Sequence, residues 1–191
     1  MSKNRVVITG LGTVNPVGNN TEEYWDSIIN GKSGIEKISY FDTSEYTTQI
    51  AGVLHDFDLN DHFDKKEVRR SSKFILLAVV AALEAVKNSG LDIAAEANDI
   101  GVEVGSGIGG IEILENMSNL LKDRGPAKVS PFTVPMMIAD MASGLVAIKT
   151  GAKGPNSCSV SACASAAHSM GNAFSLIQNG HAKAMICGGA E

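Results

Sequence analysis

Cys163 combines a reactive side chain with a position at the start of a helix. It follows Ser161-Ala162, where a predicted strand at residues 156–160 gives way to a predicted helix at residues 163–178. Backbone amides at a helix N-terminus favour the thiolate form of a cysteine, and the thiolate is the nucleophilic form. The competing interpretation is an inert, buried thiol, which is the commoner state of cysteine. The local sequence supports the two interpretations equally.

None of the four histidines has a position that suits a general base for this cysteine. His168 follows Cys163 by five residues, which on a helix turns it by about 140° and moves it about 7.5 Å along the axis. We therefore expect His168 to make a structural hydrogen bond. His55, His62 and His181 lie in polar segments, where we expect them to be solvated. The chain thus offers a nucleophile without an evident proton acceptor.

A glycine-rich loop at residues 105–110 reads Gly-Ser-Gly-Ile-Gly-Gly and follows a predicted strand at residues 100–104. Its spacing matches the G-x-G-x-x-G pattern of dinucleotide-binding loops. Such sites also need an acidic residue about 20 positions later, and residues 128–131 read Lys-Val-Ser-Pro. Nicotinamide or flavin binding is therefore a distant alternative for this loop.

Four cations are close together in an otherwise acidic chain: Lys65, Lys66, Arg69 and Arg70. On a helix, i and i+4 spacing brings these side chains to one face. They either form an ordinary solvated surface or bind an acidic protein or a phosphate.

The composition restricts the possible functions. The 191 residues are 44% hydrophobic and carry a formal net charge of −5, which favours a globular chain that does not bind nucleic acid.

Three cysteines without C-x-x-C spacing predict neither a disulfide nor a metal site, and we assign Cys158 and Cys187 to the core because both lie in predicted strands. The longest apolar run, residues 74–83, is about half of what a bilayer requires. We expect a cytoplasmic protein without a membrane segment.

Strands and helices alternate along the chain, a pattern that predicts an α/β fold with a mainly parallel sheet. The predicted strands are residues 5–11, 100–104, 156–160 and 183–187, and the predicted helices are residues 21–29, 72–88, 111–121, 136–149 and 163–178. The last helix carries small residues on nearly all faces, which predicts burial between two layers. The sequence supplies strands for only one of those layers.

Five segments resemble the β-ketoacyl-(acyl carrier protein) synthase II family of condensing enzymes. The resemblance runs from residue 4 to the last residue, and its most specific part is Ser161-Ala162-Cys163-Ala164-Ser165. The segments are residues 5–12 (RVVITGLG), 15–18 (NPVG), 105–110 (GSGIGG), 130–132 (SPF) and 154–165, which begins Gly-Pro and ends SACAS.

The resemblance implies a thiolase-like fold with layers in the order α-β-α-β-α. Residues 1–191 would form most of its first, N-terminal half, a mixed, mainly parallel sheet with the nucleophile helix buried at the centre. The second half, absent from this chain, would hold the two histidines and the lysine on which decarboxylation depends. None of the four histidines here matches those motifs, so we expect this chain alone to be inactive in condensation.

The resemblance also implies a reaction, a 3-oxoacyl-(acyl carrier protein) synthase step of fatty acid elongation. Cys163 would hold the acyl chain, and malonyl-carrier protein would lose CO₂ to form the carbanion that attacks it. No cofactor would be bound, because phosphopantetheine arrives on the acyl carrier protein. That partner would dock on Lys65, Lys66, Arg69 and Arg70, and the enzyme would be a homodimer.

In the family, a bulky residue at the position of Ile108 gates the acyl pocket, and residues 132–134 cross the dimer interface to line the neighbouring pocket. Thr133 stands where the family commonly has Phe, which changes the far end of the pocket and leaves the chain-length preference open. Ser71-Ser72 stand where the family commonly has Met-Asp, which changes the local contacts near the basic cluster. The substrate-binding residues implied are Gly107, Ile108, Phe132, Thr133, Val134 and Ala162.

A polyketide-type ketosynthase is the alternative enzyme. A non-catalytic partner subunit is disfavoured, because such chains typically lack the nucleophilic cysteine.

Overall fold

The computed structural model describes residues 3–191. The α-helices are α1 (Thr21–Ile29), α2 (Lys65–Arg70), α3 (Lys73–Ser89), α4 (Ile111–Arg124), α5 (Thr133–Met137), α6 (Met141–Thr150) and α7 (Ser165–Gln178). The strands are β1 (Ile35–Lys37), β2 (Ile50–Gly52), β3 (Ile100–Gly105), β4 (Asn156–Ser157) and β5 (Ala184–Gly189). Short 3₁₀ turns occur at Leu59–Asp61, Ala97–Asp99, Pro126–Lys128 and Ala162–Ala164.

The central sheet has three parallel strands in the order β4-β3-β5, as the alternating pattern predicts. Strand β3 lies in the middle and is buried along its whole length. Its register places Glu103 beside Ser157 of β4 and beside Cys187 of β5. Strands β1 and β2 form a separate antiparallel pair, which the sequence analysis missed because each has only three residues.

The apolar core lies on one face of β3, between the strand and helices α3 and α6. Val102 and Val104 point into it and meet Val79 and Val146, all of them buried. The other face of β3 points towards α7, because a Cβ built on Gly105 would lie 2.5 Å from the carbonyl oxygen of Ser165. Successive residues of β3 therefore point to opposite faces of the sheet, alternately towards the apolar core and towards the nucleophile helix α7.

Helix α3 is buried as its apolar sequence predicts. Ser72 is its N-cap, and the helix ends at Gly90, whose left-handed φ of 66° suits a residue without a Cβ. Helix α7 is fully buried only on a single stripe, formed by Ser165, Ser169 and Ala173, and most of its other residues are exposed. The second layer predicted for α7 is not supplied by residues 3–191.

The strand predicted at residues 5–11 is wrong for the described structure: these residues join no strand ladder within residues 3–191. A strand needs a backbone partner, and the backbone here meets helices instead. The amide of Asn4 donates to the Gln178 carbonyl at the end of α7, and the side chain of Asn88 donates to the Leu11 carbonyl. Three apolar side chains of the segment, Val7, Ile8 and Leu11, are consequently exposed.

Two further elements differ from prediction. The helix predicted at residues 136–149 begins earlier and is divided into α5 and α6, because Ile138 takes an extended backbone conformation between them. The strand predicted at residues 156–160 is reduced to β4.

None of the helices formed by residues 3–191 is both long and apolar enough to cross a bilayer.

Candidate active site

Cys163 is exposed in the 3₁₀ turn that leads directly into α7. The residue before it, Ala162, has a φ of 50°, in the left-handed region that residues with a Cβ adopt at a cost of about 1 kcal/mol. This conformation makes the chain bend sharply between β4 and α7. The bend presents the thiol at the N-terminal end of α7.

Ser165 holds this bend in place. Its hydroxyl donates to the carbonyl oxygen of Ala162 at 2.7 Å and accepts from the amide of Ser161 at 2.8 Å. The residue is only 3% exposed, so these bonds form away from water. Each such bond contributes about 1 kcal/mol, which offsets the cost of the left-handed residue.

His168 makes the structural hydrogen bond expected for it. Its Nδ1 lies 2.5 Å from the hydroxyl of Ser161, so the imidazole contacts the chain just before the nucleophile turn. Two other histidines, His55 and His62, make contacts away from the turn. Both are exposed as predicted, although His55 lies 2.5 Å from Glu36 and His62 stacks on Phe57 with 5.1 Å between ring centres.

The glycine-rich loop is organised by Glu191, which the sequence analysis missed. The carboxylate accepts hydrogen bonds from the amides of Gly107 at 2.6 Å and Ile108 at 3.1 Å, and from the Ser106 hydroxyl at 3.2 Å. The same hydroxyl accepts from the amide of Gly109 at 3.1 Å. The amides that a dinucleotide phosphate would use are therefore engaged by a carboxylate, which argues against the dinucleotide alternative.

This loop lies directly against the nucleophile turn. A Cβ built on Gly107 would lie 3.3 Å from the Cα of Ala162 and 3.1 Å from Oε2 of Glu191. The side chain of Ile108 is 63% exposed beside them. The structure thus brings Gly107, Ile108, Ala162 and Cys163 together at the carboxyl ends of β3 and β5, where α/β sheets commonly bind ligands.

The segment at residues 132–134 reaches the loop through α5. Phe132 lies at the N-terminal end of this helix, and the hydroxyl of Thr133 donates to the Ser130 carbonyl at 2.6 Å. At the other end of α5, the Met137 carbonyl accepts from the amide of Gly110 at 2.9 Å. Val134 is exposed.

The predicted basic cluster is exposed on α2, which begins with a capping box between Asp64 and Glu67. Glu67 also pairs with Lys149 of α6. The hydrogen bond from Lys149, with one from the Asp64 amide, holds the pKa of Glu67 below its ordinary value. The only acidic residue of α2 is therefore paired with a cation outside the cluster.

Cys158 and Cys187 are not core residues, contrary to the prediction. Cys158 is half-buried and Cys187 is exposed, because β4 and β5 are the outer strands of the described sheet. The surrounding chain nonetheless removes water from both thiols, and this desolvation raises the pKa of each. The carboxylate of Glu103 adds to the rise at both.

Glu103 is a buried carboxylate that the sequence pattern did not single out. It is 2% exposed, and its Oε1 accepts from the hydroxyl of Ser159 at 2.9 Å and from the side-chain amide of Asn172 at 2.8 Å. Buried charges are tolerated when they are hydrogen-bonded in this way. The group links β3 both to the chain before the nucleophile turn and to α7.

Known proteins resemble this chain in sequence. The family model "Beta-ketoacyl synthase, N-terminal domain" matches residues 3–191. A 3-oxoacyl-[acyl-carrier-protein] synthase 2 from Synechocystis sp. is 48% identical over 192 residues, covering 100% of this chain and 46% of the relative. The protein of the same name from Staphylococcus aureus (strain COL) is 51% identical over 193 residues, covering 100% of this chain and 47% of the relative. The chain thus spans about half the length of these relatives.

Solved structures are similar over nearly the whole chain. A type II polyketide synthase acyl-carrier protein in complex with its ketosynthase gives a TM-score of 0.85 at 24% identity, covering 100% of this chain and 52% of that chain. A β-ketoacyl synthase from Burkholderia phymatum gives a TM-score of 0.79 at 24% identity, covering 95% of this chain and 45% of that one. These similarities establish the thiolase-like α/β fold predicted from the sequence.

Proposed function

The chain belongs to the β-ketoacyl synthase family, and from this premise we propose that the complete protein is a 3-oxoacyl-(acyl carrier protein) synthase of fatty acid elongation. Relatives that carry this name are 48% and 51% identical to the whole chain. The proposed reaction has two steps. An acyl group moves from the phosphopantetheine thiol of its carrier to the protein, and the carbanion left when malonyl-carrier protein loses CO₂ then attacks the new thioester.

Cys163 is the proposed acyl acceptor, and its exposed position on the bend before α7 is the observation that carries this assignment. The thiolate attacks the carbonyl carbon of the carrier thioester, so that a sulfur–carbon bond to Cys163 forms and the carbon–sulfur bond to phosphopantetheine breaks. The carrier leaves as a thiolate, which takes a proton from solvent. The amide of Cys163 itself is proposed to donate to the oxygen on which negative charge develops. Ser165 fixes that geometry before substrate arrives, since it already bonds both neighbours of the bend.

The acyl chain is proposed to lie against Gly107, Ile108 and Ala162, which adjoin the nucleophile. Ile108 supports this role by its exposed apolar side chain. Residues 132–134 are proposed to complete the pocket, with Thr133 leaving more space than the phenylalanine common in the family. The protein is proposed to be a cytoplasmic homodimer in which this segment serves the neighbouring pocket.

The acyl carrier protein is proposed to dock on the basic cluster of α2. Lys65, Lys66, Arg69 and Arg70 present positive charge on a protein whose net charge is −5. A local patch of this kind guides an acidic partner by long-range attraction. One compared structure is a ketosynthase in complex with an acyl-carrier protein, which supports a partner of this class.

Residues that decarboxylate malonyl-carrier protein are proposed to lie in the part of the relatives that this chain does not cover. His168 is engaged with Ser161, and His55 with Glu36. Residues 1–191 alone are therefore expected to be inactive in condensation.

The test compares the complete gene product with its Cys163→Ala variant. With acyl-carrier and malonyl-carrier substrates, the wild type should release a chain two carbons longer and form an acyl adduct on Cys163. The variant should lose at least about a thousandfold in condensation rate, as expected for removal of a nucleophile. Wild-type rates in the variant would refute the assignment.

Repeated extension to a poly-β-ketone would indicate the polyketide-type alternative. An active-site cysteine that never becomes acylated would indicate a non-catalytic subunit.

A further inference from the structure

We propose that Glu191 is a positioning residue that fixes the wall of the acyl pocket by anchoring the glycine-rich loop. The inference rests on the proposed function, because it assigns Glu191 to the same site. It concerns selectivity between acyl chains, and Glu191 acts on the substrate only through the loop.

Three donors converge on the carboxylate of Glu191. The Gly107 amide and the Ser106 hydroxyl bond to Oε2, and the Ile108 amide bonds to Oε1. The bond from Gly107 is 2.6 Å long, which is typical of a charged acceptor. Both oxygens are thus used, and the bonded groups are three consecutive residues of the loop.

The loop needs such an anchor because glycine restricts the backbone so little. Gly109 has a φ of 75°, and the loop ends where the Gly110 amide bonds to the Met137 carbonyl. At its start, the Gly105 carbonyl accepts from the amide of Ala190. Between these two ends, Glu191 and the buried hydroxyl of Ser106 hold the middle of the loop.

The anchored part of the loop borders the nucleophile. Gly107 fits closely between the Glu191 carboxylate and Ala162, so a displacement of the loop changes the space beside Cys163. The side chain of Ile108 is exposed, and its direction is set by its own backbone, which Glu191 holds. Loss of the carboxylate should therefore change which acyl chains fit before it changes the chemistry at the thiol.

The experiment uses Glu191→Gln in the complete gene product. Glutamine keeps the size of the side chain but turns an NH₂ group towards one of the backbone donors. We expect the ratio of kcat/KM for long and short acyl-carrier substrates to change by about tenfold or more, the scale of a lost charged hydrogen bond. The matched control is Glu112→Gln, an exposed acid in the first turn of α4, for which the ratio should stay within about twofold.

Amide hydrogen exchange of residues 105–110 gives a second readout that needs no substrate. Exchange in this segment should be at least about tenfold faster in Glu191→Gln, because two amides lose a charged acceptor. If that variant fails to fold, Ser106→Ala, which removes one donor to the carboxylate, takes its place in both measurements. An active wild type with an unchanged ratio and unchanged exchange in the variant would overturn this inference alone. A wild type without condensing activity would overturn the proposed function and, with it, the selectivity role.

Discussion

The guanidinium carbon of Arg70 lies 4.7 Å from the centre of the Phe132 ring. A cation at this distance from an aromatic face is attracted to it by about 0.5–1 kcal/mol at exposed sites. Arg70 belongs to the basic cluster of α2, and Phe132 begins the segment proposed to line the acyl pocket. The surface proposed to bind the carrier is therefore in contact with the segment proposed to bind its cargo.

Charge reversal in the basic cluster should weaken reaction with carrier-bound substrates. For Lys65→Glu with Arg69→Glu, we expect kcat/KM for acyl-carrier protein to fall about tenfold or more at low salt, with a smaller fall at high salt because ions screen exposed charges. Rates with small acyl thioesters should change less than about twofold. The control is Lys122→Glu on α4, which should affect neither substrate. Equal losses with both substrates would mean that the cluster only supports the fold.

Brief treatment with an electrophilic acyl analogue at neutral pH should label Cys163 first. The raised pKa of Cys158 and of Cys187 keeps both thiols protonated over a wider pH range, so their labelling should become appreciable only as the solution becomes alkaline. Mass spectrometry of peptides from the complete gene product, labelled at several pH values, measures all three sites. Predominant labelling of Cys158 or Cys187 at neutral pH would contradict the assignment of the nucleophile.

Two buried serines should differ sharply in their effect on stability. The Ser143 hydroxyl accepts from the Val104 amide at 2.7 Å and donates to the Ser157 carbonyl at 2.6 Å, so it bridges β3 and β4. Ser143→Ala leaves these groups unpaired and should lower the free energy of unfolding by about 2 kcal/mol. The Ser169 hydroxyl is also buried but has no partner among the described residues, and Ser169→Ala should be neutral or stabilising. Denaturant unfolding of the complete gene product tests both, and similar losses would refute the argument.

Two glycines should respond in opposite directions to alanine. At Gly105, a Cβ would meet the Ser165 carbonyl at 2.5 Å, so Gly105→Ala should destabilise the protein by about 2 kcal/mol or more and disturb the nucleophile turn. At Gly144 in α6, the nearest atom would be the Met141 sulfur at 3.7 Å. Gly144→Ala should therefore raise the free energy of unfolding by about 0.5–1 kcal/mol through helix propensity. A tolerated Gly105→Ala would show that β3 and α7 can separate.

The sequence predicted the elements whose determinants are local. Helix α3 was recognisable from its apolar residues between Ser72 and Gly90, and β3 from its β-branched residues. The segment at residues 5–11 has the same kind of composition as β3, yet the described chain offers it no backbone partner. Composition reports the tendency to form a strand, whereas pairing depends on residues elsewhere.

The same distinction applies to the site. Cys163 and the glycine-rich loop were visible because each is a short contiguous motif. Glu191 was not, since 84 positions separate it from Gly107. The topology offered one signal for Glu191. Parallel strands end at the same edge of a sheet, so an acid that follows β5 lies near the loop that follows β3. Glu103 was missed because its partners, Ser159 and Asn172, are polar residues that look unremarkable in the sequence.

Gly107 and Ile108 are neighbours in the loop, but they differ in how freely they can be replaced when the enzyme is redesigned. At residue 107, any side chain would have to displace either the carboxylate of Glu191 or the backbone of Ala162. At residue 108, the side chain extends into open space, and only its backbone is restrained. A library that varies residue 108 alone can therefore explore product length with the nucleophile turn unchanged, whereas one that also varies residue 107 shifts the Glu191 carboxylate or the turn at Ala162 as well.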